Sequence, residues 1–241
     1  MQVFSKIDIG KTRASNQDAY IVESLDSDTV LIVVCDGMGG ANAGNVASET
    51  AVNTISRYIK SSYNARFDNY KLSELLVNAI TSANIELFDM ATSNPQFEGM
   101  GTTVVSAIIK GDTAIICNVG DSRAYLVNSE LFQITKDHSM VQSLVESGKL
   151  TPEEARFHPR KNIITKALGT EDSVVPDCFE QKLNAGDTVL FCTDGLTNFI
   201  EHDNILDIFK NNDISKVADI LVDTANSNGG GDNITVVIAA V

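Results

Sequence analysis

The amino-acid sequence predicts an α+β fold, a core of sheet packed on sheet with helices outside it. Two observations carry this. Extended runs rich in Val, Ile, Thr and aromatic residues, bounded by Gly, Asn and Asp, recur along the 241 residues. Two long helical stretches follow one another directly, instead of alternating with strands as βαβ units would. No low-complexity segment, solenoid period or linker interrupts the chain, whose length fits one large domain or two small ones.

The first extended runs fall near 2–9, 19–25 and 29–36. Within the third, LIVVCDGMGG (31–40) drives an apolar strand into Asp36 and then into glycine. A helix is expected from about Asn42, with Ala47, Ala51, Ile55 and Ile59 on one face. A second carries Leu72, Leu76, Ala79, Ala83, Leu87 and Met90 at the same spacing. From 101 to 135, GTTVVSAIIKGDTAIICNVGDSRAYLVNSELFQIT offers four short extended runs and reads as one antiparallel meander. The segment 147–169, SGKLTPEEARFHPRKNIITKALG, is different in kind. Thr151, Pro152 and Glu154 form a helix-capping signature, and Lys149, Arg156, Arg160, Lys161 and Lys166 outnumber Glu153 and Glu154. On an acidic protein this basic insertion is either a substrate-facing flap or a solvated surface loop. Runs near 174–183, 187–193 and 233–241, with short helices at 203–210 and 215–227, complete the chain.

Acidic residues number 32 against 18 Lys plus Arg, a formal charge of −14. That excess argues against nucleic acid or an anionic membrane as partner, because both select for positive charge. The longest apolar run, around Leu31 to Cys35, is far too short to span a bilayer. MQVFSKIDIG at the start lacks the charged and apolar regions of a signal peptide, so a cytoplasmic protein is expected. Cys35, Cys117, Cys178 and Cys192 are scattered, without a CxxC pair. Cys35, Cys117 and Cys192 lie inside apolar runs and are expected to be small buried hydrophobes in a reducing cytosol.

Four aspartates stand beside glycine at the ends of apolar runs: Asp36 in VVCDGMGG, Asp121 in NVGDSRAYL, Asp194 in LFCTDGLTN and Asp232 in GGGDNITVV. A single Asp-Gly is most often a turn. Four in the same setting suggest a gathered set, because a strand end fixes the backbone and glycine admits close approach. Gathered carboxylates repel one another unless a cation neutralises them or protons are retained. Oxygen donors without His or Cys favour Mg²⁺ or Mn²⁺, with Ca²⁺ possible. His138, His158 and His202 lie outside these runs. GKTRASNQDAY supplies Arg13, whose planar fork suits phosphate, and Asp18, placed to join an outer shell.

Taken in order, RASNQDA (13–19), VVCDGMGG (33–40), GMGTTVVSAII (99–109), NVGDSRAYL (118–126), TKDHS (135–139), LFCTDGLTN (190–198) and GGGDNITVV (229–237) resemble the metal-dependent protein phosphatases. This is the type-2C serine/threonine family, in its short bacterial form. The resemblance implies a single catalytic domain over 1–241, a β-sandwich of two antiparallel sheets flanked by helix pairs in a four-layer αββα fold, with 147–169 as a small flap subdomain within it. It implies that Asp36 bridges two cations, that Gly37 offers its carbonyl to one, and that Asp194 and Asp232 complete the other. Asp121, with Asp194, would hold a third, weaker ion. Arg13 would contact the substrate phosphate, and Asp18 would hydrogen-bond a cation-bound water. The cofactors would be Mn²⁺ or Mg²⁺. A water activated between two of them would attack phosphorus directly, without a phosphoenzyme. The partners would be phosphoserine and phosphothreonine proteins, made by an opposing serine/threonine kinase, and the enzyme would be a monomer.

Two departures from the family pattern stand out. Met38 occupies a position where eukaryotic relatives often carry histidine, a proton donor for the leaving alkoxide. Gln17 stands where many relatives have glutamate, which removes a charge from the outer shell. Two other readings compete with the enzyme: a phosphoprotein-binding pseudophosphatase and a structural Ca²⁺-binding domain. Retention of Arg13 together with all four aspartates argues against the first. Arg13 and the basic segment argue against the second.

Overall fold

Strand β3 (Thr29–Met38) explains why the run LIVVC is apolar at every position. Its alternate residues point into different cores: Ile32 and Val34 pack between two sheets, while Leu31, Val33 and Cys35 pack against helices. A strand buried on both faces loses the polar half of the usual alternation. The computed structural model describes residues 1–40 and 43–241.

One sheet runs β2 (Asp18–Asp26), β3, β5 (Val104–Lys110), β6 (Thr113–Val119) and β9 (Asp177–Lys182), with short β4 (Gly101–Thr102) pairing the end of β3. The other runs β1 (Gln2–Asp8), β11 (Ile234–Ala240), β10 (Thr188–Cys192), β7 (Arg123–Val127) and β8 (Leu131–Gln133). Strand pairs in both sheets are antiparallel. Between the sheets Ile32, Val34, Val105, Ile109, Phe191 and Val237 form the central core. Burying each such side chain stabilises by roughly 1.5–3 kcal/mol before entropy is counted.

Helices α1 (Ala43–Ser62) and α2 (Asn69–Ser93) cover the outer face of the β2–β9 sheet through Ala47, Ile55, Leu76 and Leu87. The apolar face read from the sequence is the buried one; the start expected at Asn42 lies outside the described residues. On the opposite side α6 (His202–Asn211) and α7 (Ile214–Ser227), with the single turn α5 (Asp194–Thr197), cover the β1–β8 sheet through Ile205, Leu221 and Ala225. Four layers result, an α+β sandwich of the expected kind.

Two expectations fail. The runs between 101 and 135 do not form one meander: β5 and β6 belong to one sheet, β7 and β8 to the other. The chain changes sheets between Val119 and Arg123, where Gly120 takes a φ of +100°. β5 and β6 are buried on both faces, so their periodicity carries no record of which sheet they join. The second correction concerns Cys117, which is not a lone buried thiol. It is bonded to Cys178, its register partner on the neighbouring strand β9. The two are 61 residues apart in sequence, a separation that spacing rules for local motifs do not detect. Cys35 and Cys192 are free and buried, as expected.

The segment 147–169 is mostly irregular. It follows α3 (Met140–Glu146), a helix the sequence reading did not anticipate, and contains α4 (Pro152–Arg156). The capping box is present: Thr151 Oγ1 accepts from Glu154 N, and Glu154 Oε2 accepts from Thr151 N at 2.7 Å. Arg156 pairs with Glu201, and Lys161 Nζ donates to Asn198 Oδ1 at 2.9 Å. These contacts seat the segment beside α5.

Candidate active site

The aspartates singled out in the sequence collect at one edge of the sandwich, each delivered by a different junction. Asp36 sits near the end of β3, and Asp18 opens β2 directly opposite, as its register partner. Asp121 lies in the crossing between β6 and β7, Asp194 opens α5 after β10, and Asp232 precedes β11.

Asp18 ties the two sheets together. Its Oδ2 accepts hydrogen bonds from Thr193 Oγ1 at 2.9 Å and Thr235 Oγ1 at 2.7 Å, both from the opposite sheet's side. Its Oδ1 is buried with no hydrogen-bond partner. Burial, resisted by the two threonine hydroxyls and reinforced by Asp194 and Asp232, pushes the carboxyl up to about 7.

Asp36 is held through its backbone, leaving its carboxylate for other work. Thr103 N and Thr102 Oγ1 both donate to Asp36 O at 2.9 Å, and Asp36 N donates to Thr103 Oγ1 at 3.0 Å. Burial, then the negative charges of Asp18, Asp194, Asp121 and Asp232, raise its carboxyl well above the ordinary range. Next to it Gly37 N donates to Gln17 O at 3.0 Å. A Cβ at Gly37 would lie 2.0 Å from Gly44 O, so only glycine lets β3 pass this close to α1. The Gln17 amide packs over Gly44, and Met38 lies beside Gly101 with no proton to offer.

Asp194 Oδ2 accepts from Asn198 Nδ2 at 2.9 Å, while Oδ1 is buried without a partner. Burial and the Asp232 charge raise this carboxyl. Burial, Asp194 and Asp137 push Asp121 up to about 7 against the pull of Arg123. Asp232 is paired with a cation: Arg13 Nη2 donates to its Oδ2 at 2.7 Å. The loop that carries Arg13 is stapled there by Asn233, whose Nδ2 donates to Ile9 O and Ser15 O and whose Oδ1 accepts from Gln17 N.

Arg13 on Asp232, and Arg123, which is itself paired with Asp137, do not neutralise five carboxylates. The orphaned Oδ1 atoms of Asp18 and Asp194 are what a buried carboxylate shows when its partner is not a protein group. An all-oxygen donor set in this electrostatic setting fits a hard divalent cation. Among the described residues no three acidic, histidine or cysteine side chains are drawn together into a preassembled coordination shell. The fit therefore rests on charge and donor chemistry. A cleft of about 380 Å³ runs from Asp121 and Asp194, past Arg123 and Asn198, to Arg156 and Lys161 of the basic segment.

Sequence reasoning placed Arg13 and the aspartates at one site but missed the groups that hold them. His138 was set aside with the other histidines, yet it is buried beside Asp121 and its Nδ1 accepts from Gly120 N at 3.1 Å. Thr103, Ser122, Thr193, Asn198, Asn233 and Thr235 were not singled out. All but Asn198 are buried, and all fall inside the quoted motifs, which was the available signal.

Comparison with known proteins identifies the family. A family model described as protein phosphatase 2C matches residues 10–229. The serine/threonine phosphatase stp of Listeria welshimeri is 41% identical over 236 residues, covering 97% of this chain and 93% of its own. The crystal structure of serine/threonine phosphatase Stp1 from Staphylococcus aureus superposes with a TM-score of 0.94 at 39% identity, covering 100% of this chain and 94% of that one. The catalytic domain of PstP, solved with 2 manganese ions, superposes at 0.84 with 33% identity, covering 98% of this chain and 96% of that one. Divalent-metal dependence follows from this membership. The chain belongs to the protein phosphatase 2C family and is a phosphoprotein phosphatase acting on serine and threonine.

Proposed function

We propose that the aspartate-lined edge is the hydrolytic centre, holding Mn²⁺ or Mg²⁺ as two tightly bound ions and a third, weaker one. Asp36, the Gly37 carbonyl, Asp194 and Asp232 would hold the pair, and Asp121 with Asp194 would hold the third. Bound cations of this kind supply Lewis acidity and an activated water for in-line hydrolysis of a phosphate monoester. The carrying observation is that five aspartates from separate junctions converge, two of them with buried, partnerless oxygens.

The protein's own groups do the rest. Arg13 is half exposed and uses one N–H at Asp232, which leaves further donors for the equatorial oxygens of a phosphate. Asp18 accepts from two threonines through Oδ2 and keeps Oδ1 free to orient water. Met38 cannot protonate the leaving alkoxide, so that proton must come from another group. The segment 147–169 acts as a flap over the cleft within a single catalytic domain. Its cations Arg156 and Lys161 line the same cleft as Asp121 and Asp194, which supports that role.

The substrates are phosphoproteins made by an opposing serine/threonine kinase, and we take the enzyme to work as a monomer in the cytoplasm. Among the described residues no helix is long and apolar enough to cross a membrane. The Cys117–Cys178 bond pulls against a reducing compartment. Release of phosphate from a phosphothreonine peptide should vanish on treatment with chelator and return with added Mn²⁺. Turnover indifferent to the chelator would sink the reading.

A further inference from the structure

Asp36 and Asp121 come from different elements, and a pair of buried hydroxyls joins them. Thr103 Oγ1 and Ser122 Oγ share a hydrogen bond of 2.7 Å. Ser122 directly follows Asp121, and Thr103 lies opposite Asp36, between β4 and β5.

The local geometry is unusual in a way that assigns Thr103 its part. The β3–β5 register, carried through Gly37↔Thr102 and Val34↔Val105, sets Asp36 against Thr103. Thr103 N donates to Asp36 O as a ladder requires. The return bond does not go to a carbonyl: Asp36 N donates to the Thr103 side chain at 3.0 Å. The Thr103 carbonyl lies 3.0 Å from Thr102 Oγ1 and shares that group's one hydroxyl hydrogen with Asp36 O. A side chain thus replaces the main chain as acceptor at the aspartate. The same side chain also supports the crossing. A Cβ at Gly120 would lie 2.6 Å from Thr103 Cγ2, so the turn that carries Asp121 rests on this methyl group. Thr103 therefore touches the backbone of one carboxylate residue and both neighbours of the other.

We propose that Thr103 and Ser122 are positioning residues that set the spacing between Asp36 and Asp121, and so the affinity of the weak cation site. This rests on the reading of Asp121 as a cation ligand. Neither hydroxyl reaches substrate, and their effect passes through the two aspartates.

The test is calorimetric titration of Mn²⁺ into the whole protein, with phosphopeptide kinetics alongside. Ser122→Ala should weaken the weakest association roughly five- to tenfold, the cost of one buried hydrogen bond, and Thr103→Val, which also strips the acceptor from Asp36 N, should weaken it at least as much. The double variant should lose no more than Thr103→Val alone, because that substitution already removes the link that Ser122→Ala removes. Turnover number should fall with KM unchanged, and Thr103→Ser, which keeps the hydroxyl, should restore the association. Asp121→Asn separates the two ideas. If it abolishes the weak association while Ser122→Ala and Thr103→Val bind as wild type does, the positioning proposal is overturned and the ligand reading stands. If Asp121→Asn itself binds as wild type does, the ligand reading fails and takes the proposal with it. Equal weakening of every association in the hydroxyl variants would show a merely structural role and overturn the proposal.

Discussion

Asp18 and Asp36 face one another across β2 and β3 as register partners, a buried and a half-buried carboxylate opposed in an antiparallel ladder. Like charges in that position destabilise a sheet. The fold accepts the conflict at this edge, where Thr193 and Thr235 hold one Asp18 oxygen and the other is left without a protein partner.

Asp18→Asn removes one of the opposed charges while an amide oxygen can still accept from both threonines. The cation-free protein should gain up to about 1 kcal/mol, the size of a cross-strand pair effect. Its Mn²⁺-induced rise in Tm should shrink relative to wild type. Thermal unfolding with chelator and with Mn²⁺ reads both, and a larger Mn²⁺ shift in the variant would refute the outer-shell role.

The same crowding sets a pH dependence. Asp18 and Asp121 are raised from 3.8 to about 7, so the folded cation-free protein keeps protons that the unfolded chain has released. Stability should be greatest below about pH 4 on this account and fall as pH rises towards about 7. Carboxylates held low, such as Asp26 under its hydrogen bond from Tyr63, act with the opposite sign below that window. Cation binding needs the ionised carboxylates, so Mn²⁺ should flatten the fall. A cation-free Tm that climbs steadily from about pH 5 to about pH 7 would contradict this linkage.

Arg13→Ala should act mainly on substrate binding. Losing hydrogen bonds to a charged phosphate costs about 1.5–3 kcal/mol, seen as a raised KM. Its ion pair with Asp232 is partly exposed and contributes at most about 1 kcal/mol to stability. Steady-state kinetics on a phosphopeptide, with Tm as the control, distinguish the two, and an unchanged KM would count against phosphate contact.

The Cys117–Cys178 bond closes a sequence separation of 61. On the chain-entropy account that restrains the unfolded state by roughly 4 kcal/mol. Denatured protein should show two reactive thiols before reduction, from Cys35 and Cys192, and four after it. Cys178→Ser should lower the urea midpoint. Four thiols without reductant would refute the bond.

Much of the fold was legible because its cause is local. The helical faces of Ala47–Ile59 and Leu72–Leu87 follow from periodicity, and the Thr151 capping box follows from three residues. What stayed hidden is set by partners far away in sequence. The crossing at Gly120 depends on which sheet receives each strand, and Cys117 meets Cys178 only because β9 returns beside β6. At the site, the charged residues announced themselves through glycine-flanked strand ends. The neutral ones did not: Thr103 works through a side-chain bond to the Asp36 backbone, and Asn233 through carbonyls near the N-terminus. Such roles exist only once the strands are paired.

The central claim is that Asp36 anchors a divalent-cation centre that hydrolyses phosphoproteins. Phosphate release from a phosphothreonine peptide, titrated with Mn²⁺, should saturate for the wild-type protein. The Asp36→Ala variant should lose on the order of 10³-fold, falling to the chelator baseline at every Mn²⁺ concentration. Near-normal, Mn²⁺-dependent turnover by a folded Asp36→Ala protein would contradict the account.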